Sequence, residues 1–550
     1  MNSSCPAIRT RCLRPASIWR AAALAAAAGF CFSQDVAAQQ PAGSPQAATA
    51  AQRAGRAEGM AYLEPGTPAV GGVRHLVLIY AGGKNRVPWD AEKLLPYVAY
   101  VDRRGTPLDW LFDGFLWIEF ATPDGVWLHD PGQGKRAIRQ ADWQWLLDAF
   151  FDPPHGVGQL EASVRLACRT LPEKDRCVSL VVTMPTPFAA STAFGAVSPG
   201  GPSLDFTRDE DRLAALKWYV RSAIERWKKT GARHVRLAGF YWLAESIPLK
   251  DRKLVRQTAD FIHSLGMKLY WIPYFGADGL GVWRELGIDA AMLQPNYFFD
   301  PKIPPTRLTA AARNALVAGA GVELEVDGRA VSQPEFRARY PAYLDAGAKY
   351  GFMTHAMVGY YDGGGVFREF AAAKDPAIRD FYDQTYRFVK GTYRPVGTTP
   401  LPDLQFVRPS SRGANLALAT NGAKVTGDFV RGPGLEPERL IDGQYLSYGG
   451  SEGFAAFVWP GSFTVELPRT HTISSTNVLL WDHDERTFRY QTEVSVDGKQ
   501  WKLVVDKSKA ECRGWQSDRF PPTPARFVRF KGLHNTINSL FQVVEFEVYR

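Results

Sequence analysis

The chain has 550 residues, 22% of them charged, with a formal net charge of +9 and an aromatic content of 13% that includes 16 Trp. That length supports two or three domains with full cores. The mild positive excess is spread without a basic tract, so nucleic acid is not indicated as a partner. The abundant rings suit packed cores and clefts in which aromatics stack on sugars.

The N-terminus reads as a secretory signal over residues 1–38. Arg9, Arg11, Arg14 and Arg20 form a basic region, residues 21–32 an apolar run too short to span a bilayer, and Val36-Ala37-Ala38 a small-residue cleavage site. A secreted or periplasmic location is expected, with no integral membrane segment elsewhere. Cys5, Cys12 and Cys31 leave with the signal. Cys168, Cys177 and Cys512 remain, and Cys168 and Cys177 flank a short turn that an oxidising compartment could bridge. No Cys/His spacing suggests zinc, so no cofactor for catalysis is expected. Residues 39–72, rich in Ala, Gly, Gln and Pro, read as a flexible linker.

From residue 73 strand and helix signals alternate. Strands are predicted at 75–81, 115–120, 178–183, 235–240, 268–272, 290–293, 322–326 and 352–358, with amphipathic helices such as 212–230 and 250–265 between them. Regular alternation implies parallel strands with helical crossovers. Eight units over 73–395 match an α/β (β/α)8 TIM barrel. The alternative, a doubly wound open sheet, usually carries a Gly-rich phosphate loop, which Tyr80-Ala81-Gly82-Gly83-Lys84-Asn85 does not match.

The most informative stretch is Gly321-Val322-Glu323-Leu324-Glu325-Val326-Asp327-Gly328. On a strand the three acids share one face and the three aliphatics the other. Clustered carboxyls cost desolvation and repulsion if buried. A fold seldom needs that, whereas sugar-bond cleavage or metal binding does. The bland alternative is a polar edge strand facing solvent.

Residues 396–413 read as a Pro-containing linker. Residues 414–550 then show short alternating strands without helices, an all-β sandwich. Asn415-Leu416-Ala417, Leu440-Ile441-Asp442-Gly443, Ser495-Val496-Asp497-Gly498, Trp501, Ala525-Arg526-Phe527-Val528-Arg529 and Val544-Glu545-Phe546-Glu547-Val548-Tyr549 run through it. With them the segment resembles the discoidin, or coagulation factor 5/8 type C, family. The resemblance implies a jelly-roll module that often binds carbohydrate, and a structural calcium whose ligands here would be Asp442 and Glu545. Tyr445, Tyr448 and Trp481 are candidate sugar-stacking rings, although Trp481 equally suits a core.

The barrel segment resembles a bacterial family of uncharacterised secreted proteins, the domain-of-unknown-function family 4855. The residues that carry it are Gly239-Phe240-Tyr241-Trp242 with Glu245, Tyr270-Trp271-Ile272-Pro273-Tyr274-Phe275, Gln294-Pro295-Asn296-Tyr297-Phe298-Phe299 and the acid strand. The resemblance implies a glycosidase-like barrel without an established substrate. The arrangement is also similar to clan A retaining glycosidases, which place an acid/base after strand four and a nucleophile at the end of strand seven. Here Ala244 stands where those enzymes have Asn before the strand-four Glu.

Glycosidic cleavage needs one protonated and one ionised carboxyl. Glu245, beside Tyr241 and Trp242, is expected to be the acid. Glu325 is expected to be the nucleophile, with Glu323 as its partner or replacement. Trp242, Tyr241, Trp271, Tyr274, Asn296, Tyr297, Asp327, Glu119 and His355 are expected to contact substrate. For each there is a structural alternative: a helix-start charge for Glu245, a buried ion pair for Glu323, core packing for the rings, a turn for Asn296, a structural role for His355. The expected function is a secreted glycoside hydrolase acting on a polysaccharide or glycan by a two-carboxylate, retaining mechanism. A non-catalytic glycan-binding or adhesion protein is the alternative. A metal-dependent esterase lacks an accompanying His cluster, and no Gly-x-Ser-x-Gly elbow supports a serine hydrolase.

Overall fold

A computed structural model describes residues 60–129, 136–154, 156–395, 399–404, 413–445 and 448–550. The expected signal segment and most of both linkers lie outside the described residues.

The strands in chain order are β1 (His75–Tyr80), β2 (Ala99–Val101), β3 (Pro107–Trp110), β4 (Gly114–Ile118), β5 (Val178–Met184), β6 (Val235–Trp242), β7 (Lys268–Trp271), β8 (Ala290–Leu293), β9 (Gly321–Glu325) and β10 (Val358–Tyr361). Strands β1, β10, β9, β8, β7, β6, β5 and β4 close in that order into a parallel barrel. β2 and β3 form a separate antiparallel ribbon. Each barrel strand is buried along nearly its whole length, as the near-continuous apolar runs of a parallel sheet require. Helices such as Asp209–Lys229 and Leu249–Ser264 cover the outside, burying Leu216, Tyr219, Val220, Leu254, Val255 and Ile262.

Two expectations are corrected. Residues 60–72 are packed and are no part of a flexible linker: Tyr62, Leu63 and Val70 are buried, and Leu63 bridges the sheet by bonds to Ala320 and Met357. The eighth strand is Val358–Tyr361. Residues 352–355 are instead a short helix, Phe352–His355, that follows the left-handed Gly351 (φ 85°). Cys168 and Cys177 are both free.

The second domain holds β11 (Lys424–Gly427), β12 (Ala455–Val458), β13 (Gly461–Leu480), β14 (Phe488–Ser495), β15 (Lys502–Cys512), β16 (Trp515–Asn535) and β17 (Leu540–Tyr549). All their pairings are antiparallel. The long β13 and β16 are interrupted by register shifts between Glu466 and His471 and between Ile473 and Ser475. Such bulges bend strands, which lets two strands wrap an all-β sandwich around Phe463, Val465, Val478, Phe530, Phe541 and Phe546. Among the described residues no helix is long and apolar enough to cross a membrane.

The sandwich docks on the loop after β7 and on the helices Leu249–Ser264 and Thr306–Ala318. Asp278 accepts the Ser451 N–H at 3.0 Å and its hydroxyl at 2.5 Å. Glu452 takes the Gly279 N–H at 3.1 Å and pairs with Arg252. Arg313 reaches Asp482 at 3.0 Å, and His483 packs edge-on to Phe275 with ring centres 6.0 Å apart.

Candidate active site

Barrel chemistry sits at the C-terminal ends of the strands. There β1, β4, β6, β7, β8, β9 and β10 together wall a pit lined by Tyr80, Phe120, Tyr241, Ile272, Gln294, Phe299 and Tyr361 and by three carboxyls, Glu245, Glu323 and Glu325. The pit is tight, about 10 Å³ and thus room for roughly one water. Strand alternation places Glu323 and Glu325 together on the inner face, while Val322, Leu324 and Val326 are buried behind them.

The three carboxyls differ in what holds them. Glu325 is fully buried. Its Oε1 accepts the Asn296 backbone N–H at 3.2 Å and the Asn296 side-chain amide at 3.3 Å, and its Oε2 takes the Tyr343 hydroxyl. Tyr343 is fixed in turn, because its oxygen accepts the N–H groups of Tyr297 and Phe298 at 3.1 Å each. Asn296 adopts a left-handed φ of 50°, which a short amide tolerates better than most side chains. That conformation lets it bond Gln294 at 2.9 Å and accept the Phe275 N–H at 2.8 Å. Burial lifts the Glu325 carboxyl to about 8, and these donors oppose the rise without cancelling it. Glu245, on the loop after β6, is raised to about 7 by desolvation, opposed only by a bond from Gln294. Glu323 lies among the same walls, pushed well up by burial and by the neighbouring Glu325 and Glu245. Its Oε1 has no hydrogen-bond partner among the described residues.

A donor-rich carboxyl ionises before a donor-poor one. Glu325 is therefore the group of the coupled pair that gives up its proton first, and Glu323 stays neutral. The folded-state values of these acids lie above the ordinary carboxylate value, so the folded chain retains protons that the unfolded chain has lost. Stability consequently falls as pH rises from about 4.5 to beyond 7, by up to about 1.4 kcal/mol per unit for each carboxyl still protonated. Glu323→Gln should match the parent's melting temperature at pH 4.5 and exceed it at pH 8. Paired calorimetric scans check this, and a lower melting temperature at pH 8 would show Glu323 to be ionised and paired instead.

The expected substrate contacts divide. Tyr241 faces the pit, so its neighbour Trp242 faces outward, buried among the helices. Trp271 likewise packs behind the wall, its indole N–H on the Ala244 carbonyl at 2.8 Å. Both are core, contrary to expectation, because a strand presents only alternate residues inward. Tyr297 is buried under Arg339, whose guanidinium sits 3.6 Å from the ring centre. It is no sugar platform. Asp327 lies beyond the end of β9 and forms a fork-like pair with Arg329, the shortest contact 2.7 Å, so it turns away from the pit. His355 is exposed on the short helix that precedes β10 and bonds locally to Thr354 and Gly351. It therefore stands at the opposite end of its strand from the pit. Tyr274 remains at the rim beside Ser246 and Glu245. Glu119 sits at the end of β4 as predicted but is committed to Arg86, at 2.7 and 2.8 Å. Arg86 in turn lies 4.4 Å over the Tyr80 ring.

Sequence reasoning missed Tyr80, Phe120, Gln294, Phe299, Tyr343 and Tyr361. Gln294 and Phe299 stand in a quoted motif. Tyr343 comes from the helix Arg339–Tyr350, and no spacing signal tied it to the acid strand.

In the sandwich, Asp442 and Glu545 meet around one turn. Glu545 is buried and accepts the Gly443 N–H at 3.2 Å, and Asp442 caps the Gln444 N–H at 2.7 Å beside Arg439. Trp481 is buried, with its N–H on Gly449. Tyr448 bonds Asp482 at 2.7 Å and stacks on His483 at 4.5 Å, at the junction with the barrel. Neither ring is presented for sugar stacking.

A closed parallel barrel with buried acids at its mouth and an antiparallel sandwich docked beside it define a two-domain (β/α)8 protein. The chain belongs to the family described as Domain of unknown function (DUF4855), whose model matches residues 75–387. The F5/8 type C domain model matches residues 425–546. The chain is similar to BTB/POZ domain-containing protein 9 of Homo sapiens, 36% identical over 119 residues, and of Drosophila melanogaster, 33% over 135 residues. These stretches are 22% and 24% of this chain, and the chain spans only 19% of each relative's length. Among solved structures it is similar to CpGH89CBM32-5 of Clostridium perfringens in complex with GalNAc-beta-1,3-galactose, at 18% identity, 25% of this chain, 100% of that one and TM-score 0.22. It is also similar to chitosan-binding module 2, in complex with chitotriose, of a Paenibacillus sp. IK-5 chitosanase/glucanase, at 22% identity, 25% of this chain, 100% of that one and TM-score 0.21.

Proposed function

We propose that the protein is a secreted glycoside hydrolase in which Glu245 is the general acid and Glu325 the nucleophile. The observation that carries the reading is the unequal hydrogen bonding of buried carboxyls in one pit: three donors converge on Glu325, and one amide opposes the desolvation of Glu245. Pairs of acids whose surroundings push them toward different protonation states are what acid/base division of labour requires. In the first step the ionised Glu325 oxygen bonds to the anomeric carbon as the glycosidic C–O bond breaks, and the Glu245 proton passes to the leaving oxygen. In the second, Glu245 takes a proton from water, the water oxygen bonds to the same carbon, and Glu325 leaves. Neutral Glu323 adds no second negative charge beside the nucleophile. A pit this tight admits a pyranose only as Phe120, Phe299 and Tyr361 turn aside.

The F5/8 type C sandwich supports a glycan-anchoring role for the second domain. We also assign it a structural calcium, held by Asp442 on one turn and by Glu545, which reaches that turn from β17, since carboxylate oxygens suit a hard cation. The ion would brace that turn and take no part in turnover. Calcium at a hundredfold its dissociation constant should stabilise the chain by about 2.7 kcal/mol over EDTA, and Glu545→Gln should abolish the increment. Identical melting with and without calcium would remove this assignment.

The complete burial of Glu325 favours a second reading, a non-catalytic glycan-binding protein whose barrel keeps a closed pit. Incubating the chain with a panel of bacterial exopolysaccharides and plant glycans, with reducing ends measured, separates the two. Release that disappears in Glu245→Gln and Glu325→Gln supports the enzyme, and glycan binding without release supports the second reading.

A further inference from the structure

Beside the pit, and separated from it by Arg86, lies a second and far larger cavity of about 350 Å³. Its walls are the loop after β1 and the C-terminal part of the helix Gln140–Phe151, and they include Gly82, Arg86, Trp89, Trp145, Asp148 and Asp152. The volume falls within the range of about 300–1,000 Å³ typical of small-molecule sites. None of these residues has a role in the chemistry above.

The cavity is built. Gly82 takes a φ of 92°, and a Cβ there would stand 2.5 Å from Ala149; at Gly83 a Cβ would stand 2.1 Å from a Glu119 oxygen. The loop can lie this close to the helix only with glycine at 82, and glycine at 83 leaves room for the Glu119 carboxylate. Arg86 forms the partition: its guanidinium joins Glu119 and covers Tyr80, a wall residue of the pit, while its other side lines the cavity. Trp145 is partly exposed, and Trp89 is fixed by its N–H on the Tyr80 carbonyl at 2.8 Å. Asp148 and Asp152 are half-exposed and share Arg226, at 2.5 and 3.0 Å. A large indole with a polar rim of paired acid and base is the furniture of a carbohydrate site: the ring covers the apolar face of a pyranose, and the carboxylates and guanidinium meet its hydroxyls. The charged residues that line it are Asp148 and Asp152 against Arg86, a net negative balance that disfavours a uronate.

We propose that this cavity is a glycan subsite, holding an uncharged pyranose of the chain whose scissile bond lies over the pit. The proposal rests on the glycosidase reading for the pit and adds the substrate class, a neutral oligosaccharide long enough to reach both cavities. Arg86 is then the residue that both units pass.

The test uses the full chain carrying Glu245→Gln to hold oligosaccharides without turnover. The probes are maltohexaose, cellohexaose, N-acetylchitohexaose and hexagalacturonate, each at millimolar concentration, with hydrogen–deuterium exchange as readout. At least one uncharged hexamer should protect both 81–89 and 145–154, and hexagalacturonate should protect neither. Adding Trp145→Ala should weaken that hexamer at least tenfold. Because Trp145 also packs on the barrel, Asp148→Asn with Asp152→Asn serves as a second variant that leaves the indole in place, and it too should lose the protection. No protection of 145–154 by any uncharged hexamer, or equal protection by hexagalacturonate, overturns the subsite. Retained turnover in Glu245→Gln overturns the pit reading instead, and the two failures are read separately.

Discussion

Glu325→Gln will lower kcat by about 10³-fold or more on any glycoside the protein cleaves, whatever the leaving group. Glu245→Gln will behave differently. It will cost a similar factor on a natural glycan, whose leaving oxygen needs a proton, and far less in the first step on a dinitrophenyl glycoside, whose leaving group needs none. The distinction follows from the hydrogen bonds. Glu325 has three donors on its oxygens that stabilise a carboxylate, whereas Glu245 sits against Tyr241 with one amide beside it; burial raises both, to about 8 and about 7. An acid must be protonated to act, so with the two carboxyls raised to about 7 and about 8, kcat/KM of the parent on a natural glycan should fall as pH rises beyond about 8, and that limb should vanish in Glu245→Gln assayed on the activated substrate. The acidic limb belongs to Glu325. Tyr343→Phe removes a donor to its Oε2 and should therefore move that limb to higher pH. Azide should restore turnover of the activated substrate in both variants, and the product configuration tells them apart: a glycosyl azide of retained configuration from Glu245→Gln and of inverted configuration from Glu325→Gln, which identifies the carboxyl that had been in contact with the anomeric carbon. Variants with equal, small losses on both substrates would end the role assignment.

Much of this site was legible in the chain, and the reason is periodicity. Seven of the eight barrel strands fall within a few residues of their predicted places. The alternation of Val322, Glu323, Leu324 and Glu325 alone identified the inward pair. The misses have the same origin. Tyr241 and Trp242 were both expected in the cleft, as were Trp271 and Tyr274, yet adjacent strand residues must face opposite sides. Trp242 and Trp271 became core for that reason. Asp327 was read as a continuation of the alternation, but β9 ends at Glu325 and a local arginine captures the third acid. Residues 352–355 carry strand-like residue types, but Gly351 ends one helix and opens another, and His355 moved to the wrong end of the barrel. Asn296 was picked out as a substrate contact, but its bonds to Glu325 were beyond reach, as was Tyr343, because Asn296 stands on the loop after β8 and Tyr343 on a helix. Their convergence is tertiary and leaves no local pattern.

Asp482→Ala should uncouple the two domains. Burial pushes the Asp482 carboxyl up, but Arg313, His483, Tyr448 and Arg513 together hold it below the ordinary range. Removing it leaves Arg313 facing the junction without that partner; because Arg313 is 30% exposed, the loss should fall below the roughly 3–5 kcal/mol of a fully buried pair. The loss should appear in calorimetry as one transition splitting into two, the sandwich and the barrel melting separately. It should also reach the chemistry. His483 packs on Phe275, the Phe275 N–H holds the Asn296 side chain at 2.8 Å, and Asn296 donates twice to Glu325. A junction that relaxes loosens this series, and misplacement by about 1 Å can cost 10²-fold in rate. Turnover should accordingly fall roughly ten- to hundredfold, mostly in kcat, although Asp482 lies in the other domain from the pit. A purely additive sandwich would show the opposite split, with KM on long glycans rising and kcat untouched. An unchanged single transition with native kcat would mean that the junction bears no load and that Asn296 is held by the barrel alone.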